Sequence, residues 1–297
     1  MPDAPILAPS TRTYRGEITD PERWEIYTAR VGDVMVCTPA KCGTTWTQTI
    51  LVRLLAGGDL PGPVPVISPW IDSNMVPVGA KREALAAQTG RRVVKTHTPG
   101  DGFPVWEGVP VVAVYRHPLD VFLSIRKHIH NMAGRGAHPL KAPMGEALEF
   151  YLTNPFREDD VDRDSLASLV AHYRRTVAAP RGRDLTVLHY ADMVADRAGA
   201  VARLAQAAGV DPSGEVLARV TEATGFDAMK ARATEHAPGG GTGLWASDSD
   251  FFAEGGTLKW DGVLSAAQVA RYEARMAELV PEPDLRRWLE QGGPPPV

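Results

Sequence analysis

A lysine, a glycine and two threonines stand close together where an apolar run ends. Residues 34–38 predict a buried strand, and Lys41, Gly43, Thr44 and Thr45 follow it as a helical pattern begins. The free N–H groups at a helix start, with the positive end of the helix dipole, can hold phosphate or sulfate oxygens. The lysine and the hydroxyls add donors, and the glycine lets the backbone approach the anion. The pattern predicts an anion site, and a threonine-capped helix start beside a solvated lysine is the alternative.

A lysine and a histidine form a second pair of reactive groups. Residues 92–96 predict another strand, and Lys95 and His97 at its end project to the same face because side chains alternate along a strand. An imidazole, with an ordinary pKa of about 6.5, can take up a proton at neutral pH. A single histidine is more often structural, so on these residues alone a role in proton transfer is the alternative.

An arginine ends a third apolar run. Residues 111–115 predict a strand, Arg116 follows it, Pro118 opens a helix, and Ser124 lies two turns into that helix. Open α/β sheets bind ligands at the carboxyl ends of their strands. Arg116 therefore predicts a further anion contact, and a surface ion pair is the alternative.

Short apolar runs alternate with longer helical patterns along the chain. The predicted strands are residues 34–38, 92–96, 111–115 and 185–190, and the predicted helices are 44–56, one from Pro118 onward, 164–177, 195–208 and 265–279. This alternation predicts a single α/β domain with a central parallel sheet flanked by helices. The irregular stretches 60–77, 131–143 and 235–254 are long for loops, and we expect them to form walls or lids of a site.

Composition limits the classes of partner. The chain has 297 residues, of which 44% are hydrophobic, and a formal net charge of −4. That charge argues against binding nucleic acid or membranes through bulk basicity. Residues 1–14 do not resemble an export signal, and no apolar run is long enough to span a membrane. With only Cys37 and Cys42 the chain has too few cysteines for a disulfide framework, so we expect a soluble, cytoplasmic protein.

The anion motif resembles the 5'-phosphosulfate loop of sulfotransferases that use 3'-phosphoadenosine 5'-phosphosulfate (PAPS). The loop here reads Thr38-Pro39-Ala40-Lys41-Cys42-Gly43-Thr44-Thr45-Trp46, against the family's Tyr-Pro-Lys-Ser-Gly-Thr-Thr-Trp. It departs from a nucleoside triphosphatase loop because Lys41 precedes Gly43. Arg116 and Ser124 keep the spacing of the family's 3'-phosphate motif, and Lys95-Thr96-His97 resembles its Lys-Thr-His segment. Two weaker resemblances are Tyr190-Ala191-Asp192-Met193 to Tyr-Glu-Asp-Met and Thr224-Gly225-Phe226-Asp227-Ala228-Met229 to Thr-Ser-Phe-Lys-Glu-Met.

The resemblance implies a fold related to the P-loop nucleotide-binding folds. It implies an N-terminal arm (1–30), a sulfotransferase domain (31–280), and a C-terminal helix with a disordered tail (281–297). The implied reaction moves a sulfuryl group from PAPS to a hydroxyl, or an amine, of a small acceptor, releases 3'-phosphoadenosine 5'-phosphate (PAP) and requires no metal. His97 would be the general base, and Lys95 and Lys41 would contact the transferring group and the leaving phosphate. The implied nucleotide-binding residues are Lys41, Cys42, Gly43, Thr44, Thr45, Trp46, Arg116, Ser124, Tyr190, Thr224, Phe226 and Gly255.

The chain departs from the family near its C-terminus. Ala253 and Glu254 stand where the family has an arginine and a lysine that contact the 3'-phosphate. Arg91, Arg126 or a residue of the Gly-rich loop is the expected substitute. The stretch 261–270 lacks the dimer motif of animal members, so the oligomeric state stays open.

The acceptor is expected to be a hydrophobic alcohol or phenol. This follows from the aromatic and apolar residues of the irregular stretches, which predict a partly aromatic pocket. The residues concerned are Trp70, Ile71, Asp72, Met75, Phe103, Trp106 and Trp245. His128 and His130 are expected to be exposed. A nucleotide-dependent kinase and a nucleotide-binding protein without chemistry are the rival functions.

Overall fold

A four-stranded parallel sheet forms the centre of the structure, a computed structural model that describes residues 1–252 and 255–296. In chain order the strands are β1 Ile6–Ala8, β2 Val34–Cys37, β3 Val93–Thr96, β4 Val105–Trp106, β5 Val111–Tyr115 and β6 Leu185–His189. The central sheet has the order β3-β2-β5-β6, and all of its pairs are parallel. Its strands are the predicted ones, so the predicted α/β class with a central parallel sheet is confirmed. The short antiparallel pair of β1 and β4 was not predicted.

Helices pack on both faces of the sheet. They are α1 Thr44–Leu55, α2 Val64–Ile67, α3 Val78–Ala87, α4 Pro118–Asn131, α5 Met144–Thr153, α6 Leu166–Thr176, α7 Tyr190–Ala195, α8 Arg197–Ala207, α9 Gly214–Ala223, α10 Phe226–Ala231, α11 Ala233–His236, α12 Ala266–Leu279 and α13 Pro283–Gln291. One core joins the sheet to α1, α8 and α9, a second joins it to α4, α5, α6, α12 and α13, and a third packs α3 and the N-terminal arm against β2, β3 and β5. Strands covered on both faces are continuously apolar, as β2 and β5 are.

Local chemistry sets the helix boundaries that matter for the site. Gly43 has φ 102°, a left-handed conformation that favours glycine, and it turns the chain directly into α1. Pro118 occupies the first position of α4, where its missing N–H is not needed. Ser165 caps α6 by accepting the N–H of Ser168. Each cap places the start of its helix beside the carboxyl edge of the sheet or the cavity there.

The two ends of the chain are attached to the body. In the arm, the N–H groups of Ile18 and Thr19 each donate to Asp162 Oδ2 at 2.7 Å. Gly293, which sequence analysis places in a frayed tail, donates its N–H to the Asp192 carboxylate at 2.9 Å. The arm therefore covers a defined part of the surface, and that part is the rim of the cavity described below.

Candidate active site

All four central strands deliver a predicted site residue to the same edge of the sheet. The loop after β2 carries Lys41, β3 carries Lys95 and leads to His97, β5 leads to Arg116, and β6 leads to Tyr190. These residues line one cavity of about 1230 Å³ at the carboxyl ends of the strands. Parallel strands end at a common edge, which explains why residues distant in sequence meet there.

The loop between β2 and α1 is built to receive an anion. Thr38 Oγ1 and Thr44 Oγ1 lie 2.6 Å apart and close the base of the loop. Gly43 lies so close to Tyr190 that an added Cβ would be 3.0 Å from its ring. The first N–H groups of α1 have no partner within the helix, and Gly43, Thr44, Thr45 and Trp46 line the cavity. The loop thus presents donors where sequence analysis expects an anion.

Lys41 lies against a histidine that the sequence analysis placed wrongly. Its Nζ is 3.1 Å from His128 Nδ1 and 4.5 Å from the centre of the Phe251 ring. His128 is not an exposed helix residue: it lines the cavity and packs 4.6 Å from the Trp245 ring. Burial, and then the charges of Arg116 and Lys95, lower the pKa of Lys41 to about 7. His128 is a site residue that could have been found, because it lies one turn after Ser124 on the same face of α4.

The geometry of His97 fixes which of its nitrogens is free. Its Nδ1 lies 2.7 Å from Thr38 O, and since a carbonyl only accepts, Nδ1 carries the proton. The opposite nitrogen, Nε2, therefore has a lone pair. Burial, and next the charge of Lys95, lower the pKa of His97 well below its ordinary value, which differs from the unperturbed pKa used in sequence analysis. The ring stays neutral and able to accept a proton at neutral pH.

Trp70 positions the lysine and the histidine of the second pair. The His97 ring meets the Trp70 ring edge-on at 4.6 Å, and Lys95 Nζ lies 4.5 Å from the centre of the same ring. Burial lowers the pKa of Lys95 to about 8. The two side chains thus share one aromatic support and face the cavity together.

Arg116 is buried and held in place on one side of the cavity, which we call the donor half. Its guanidinium donates to Gly256 O at 3.1 Å and to Lys41 O at 3.5 Å, and it lies 4.3 Å from the Tyr190 ring. Asp120 lies 3.9 Å from its Nε, which is buried and makes no hydrogen bond within the described part of the chain. Ser124 lines the same cavity from α4. The arginine and the serine are brought together as their spacing predicts.

Aromatic and small residues line the remainder of this half. Trp46 and Tyr190 pack edge to face at 5.5 Å. Phe226 lies so close to Gly255 that an added Cβ there would meet the ring at 2.9 Å. Thr224 lines the cavity beside them, and its hydroxyl donates to Val220 O at 2.7 Å. The flat, partly buried rings leave a slot suited to a planar base.

Several expectations about this half are corrected. Cys42 does not line the cavity; its thiol is fully buried in the core, and burial raises its pKa to about 12, which argues against a reactive thiolate. Arg91 cannot replace the missing cations because it bonds Gly32 O and Ala208 O, far from the carboxyl edge. Arg126 lines the cavity, but it donates to two backbone carbonyls, Leu140 O and Ala142 O. Ala253 and Glu254 lie outside the described residues.

The second half of the cavity is walled by the irregular stretches, as predicted. Trp70, Met75 and Trp245 line it. Ile71 and Asp72 are fully buried instead of lining it. Phe103 and Trp106 are also absent from this wall, because they stack at 6.1 Å in a separate aromatic cluster with Trp24. Sequence analysis missed the arm residues 16–19, which form part of the rim.

Across residues 1–252 and 255–296, no group of three or more His, Cys, Asp or Glu side chains is arranged to hold a metal ion. No helix in these residues is long and apolar enough to cross a bilayer.

The family model, the similar sequences and the similar structures all indicate the same protein family. The model of the sulfotransferase domain matches residues 32–282. The chain is 33% identical to a glycolipid sulfotransferase of Mycobacterium bovis BCG over 94% of each chain, and 24% identical to sulfotransferase 1A1 of Rattus norvegicus over 88% of each. Mouse sulfotransferase SULT7A1 complexed with PAP superposes with a TM-score of 0.68 at 18% identity, covering 91% of this chain and 93% of that one. Retinol dehydratase in complex with androsterone and PAP gives a TM-score of 0.65 at 20% identity, covering 89% and 85%. The chain belongs to the sulfotransferase family.

Proposed function

We propose that this enzyme transfers the sulfuryl group of PAPS to a hydroxyl, or an amine, of a small acceptor with an apolar part. The observation that carries the proposal is the state of His97. Its Nδ1 is engaged by Thr38 O, so the lone pair on Nε2 is available in the cavity beside Lys95 and Lys41. That arrangement suits a general base next to cations that stabilise an anionic group.

The donor half fits PAPS by the chemistry of its lining. The N–H groups at the start of α1 would hold the 5'-phosphosulfate with Lys41, and Arg116 and Ser124 would hold the 3'-phosphate. Trp46 and Phe226 would contact the adenine. PAPS supplies an activated sulfuryl group whose leaving group is a phosphate. The buried Arg116 Nε, which makes no hydrogen bond within residues 1–252 and 255–296, favours an anion there.

The chain's own residues would divide the chemistry between them. His97 would take the acceptor proton on Nε2 as the acceptor oxygen attacks in line. Lys95 and the loop N–H groups would stabilise the sulfuryl oxygens, and Lys41 would neutralise the leaving phosphate. His128, at 3.1 Å from Lys41 Nζ, would hold the lysine in place between reactions.

The acceptor half supports a molecule with both apolar and polar parts. Trp70, Met75 and Trp245 give it apolar surface, in agreement with a hydrophobic alcohol or phenol. The glycolipid sulfotransferase relatives are named for acceptors that also carry many hydroxyls.

A transfer assay separates this function from its rivals. We expect label from ³⁵S-PAPS to pass to a simple alcohol or phenol, and EDTA to leave the rate within about twofold. A kinase would use ATP instead and lose activity with EDTA, because phosphoryl transfer relies on bound Mg²⁺. A binding protein without chemistry would retain PAP by calorimetry yet transfer no label. Either result would contradict the proposal.

Binding of PAP should be coupled to proton uptake. Lys41, with its pKa lowered to about 7, is mostly neutral at pH 8 in the free protein, and a bound phosphate would raise that pKa. We expect Lys41 to take up about 0.9 proton at pH 8, and Lys95, whose pKa is about 8, to add up to about half a proton. Calorimetry in buffers of different ionisation enthalpy measures this number.

Two matched variants show how much of the proton uptake belongs to each lysine. Lys41→Met should lower uptake by about 0.9 proton and weaken both PAP binding and turnover, whereas Lys95→Met should remove only the smaller part. Unchanged uptake in Lys41→Met would show that the loop lysine does not meet the phosphate.

A further inference from the structure

The carboxylate of Asp164 lies in the wall of the cavity without a partner in the described part of the chain. Asp164 comes just before α6, is half-buried, and lines the cavity together with Lys41 and Phe156. Within the described residues its oxygens accept no hydrogen bond and form no ion pair, and only its backbone N–H is engaged, with Asp162 O at 3.1 Å. Because it lines the cavity and has no partner in residues 1–252 and 255–296, the carboxylate is available to a ligand that enters the cavity.

The neighbouring acids already have protein partners. Asp162 accepts three hydrogen bonds from the arm, two from N–H groups and one from the Thr19 hydroxyl, each at 2.7 Å. Glu17 pairs with Arg135 at 3.2 Å, and Asp160 pairs with Arg163. These three side chains build the wall and rim, whereas Asp164 is left to face the interior.

The electrostatic surroundings of Asp164 indicate what it can bind. Burial, and then the charge of Asp162, raise the pKa of Asp164 to about 7, while Lys41 and Arg135 oppose the shift without forming a contact. An ammonium group in this cavity would be repelled by Lys41, Lys95 and Arg116. A carboxylate in the acceptor would be repelled by Asp164 itself. A neutral hydroxyl meets neither penalty, because it can donate to a carboxylate or exchange hydrogen bonds with its protonated form.

The wall around Asp164 suits a molecule that is only partly polar. Met132, Met144 and Phe156 line the same cavity. An acceptor that packs against this wall therefore needs apolar surface for these side chains and at least one further hydroxyl for the carboxylate.

We propose that Asp164 receives a second hydroxyl of a neutral polyhydroxylated acceptor, such as a sugar headgroup on an apolar chain, while another hydroxyl of the same molecule faces His97. This assignment rests on the proposed sulfuryl transfer and names the acceptor class and the residue that selects it. Asp164 acts here in specificity and takes no proton from the reacting oxygen.

Octyl glucoside and 1-octanol are the test acceptors, since they share the chain and differ in the sugar. Asp164→Leu should raise the KM for octyl glucoside by about 10- to 100-fold, the range for a hydrogen bond to a charged group, and change that for 1-octanol by less than about threefold. Asp164→Asn, which keeps the shape and some hydrogen bonding, should raise the KM for octyl glucoside by less than Asp164→Leu does. Unchanged turnover of 1-octanol shows that each variant is folded.

Asp159→Leu is the matched control, because Asp159 is an exposed carboxylate on the same cavity, and it should leave both KM values unchanged. Equal changes in KM for the two acceptors in Asp164→Leu, or no change for octyl glucoside, would overturn the assignment.

Calorimetry of octyl glucoside with the PAP-loaded protein gives a second readout. If the wild type transfers no sulfuryl group to either acceptor but binds the glucoside through Asp164, the proposed reaction fails and the acceptor site stands. If it sulfates 1-octanol but neither binds nor sulfates the glucoside, the reaction stands and the acceptor site fails.

Discussion

Replacement of His97 by alanine is expected to lower kcat by about 10²- to 10⁴-fold while PAP affinity stays within about threefold. The imidazole Nε2 is the neutral acceptor positioned by the Nδ1 contact to Thr38 O, and the ring lines the cavity. The nucleotide contacts proposed for the anion loop and Arg116 do not involve this ring. Steady-state kinetics and calorimetry on the same preparations measure the two quantities.

His97 also makes a prediction for pH dependence. Its pKa is lowered well below the ordinary value by burial and by Lys95, so the base form persists as pH falls and kcat/KM should not decline near pH 6.5. On the alkaline side, loss of the proton from Lys41, whose pKa is about 7, should lower kcat/KM for PAPS as pH rises above that value.

His128→Gln is the matched control for His97→Ala. The Nδ1 of His128 is occupied by Lys41 Nζ, so this ring is expected to position the lysine and not to act as the base. The variant should reduce kcat by about tenfold and shift the alkaline limb, since the surroundings of Lys41 change. If His97→Ala lost PAP affinity and turnover equally, His97 would not be the general base. A larger loss of kcat in His128→Gln than in His97→Ala would also contradict the assignment.

Residues next to strands were located well from the sequence because local patterns determine them. Apolar runs of four or five residues marked β2, β3, β5 and β6, and the carboxyl edge of a parallel sheet then collects whatever follows each strand. Lys41 and Arg116 follow this rule, whereas His97 and Tyr190 were assigned to the site through the family resemblance. The sequence indicated that Gly43 lets the backbone approach an anion, and the structure adds that it has φ 102° and packs against Tyr190.

Residues that depend on tertiary packing were not placed. Phe103 and Trp106 look like pocket residues by composition, but β4 pairs with β1 of the arm and carries them into a cluster with Trp24. The partnerless state of Asp164 follows from where residues 156–165 pass over the cavity, and no local pattern encodes that path. Three wall residues, Trp70, Met75 and Trp245, were expected from the sequence, whereas the arm residues 16–19 and Asp164 required the structure.

In the proposed function, Arg116 is the main cation expected to contact the 3'-phosphate. Sequence analysis found Ala253 and Glu254 in place of two cations, and the guanidiniums of Arg91 and Arg126 are engaged with backbone carbonyls. Arg116 is fixed by Gly256 O and by nearby Asp120, whose carboxylate also accepts the N–H groups of Leu258 and Lys259 at 2.9 and 2.7 Å. This network aims a rigid, buried cation at the cavity.

Arg116→Met is expected to weaken PAP by about 30- to 900-fold, which corresponds to about 2–4 kcal/mol for removing one member of a buried charge pair. Adenosine 5'-phosphate, which lacks the 3'-phosphate, should lose less than about threefold and so reports that the loop and the aromatic slot remain intact. Arg116→Lys, which keeps the charge but not the fork of donors, should bind PAP with an affinity between those of the wild type and Arg116→Met. Ser124→Ala should show the same selectivity with a loss of about tenfold or less, because a hydroxyl donates a weaker hydrogen bond. Calorimetry with both nucleotides measures every value, and an equal loss for the two in Arg116→Met would show that this arginine does not read the 3'-phosphate.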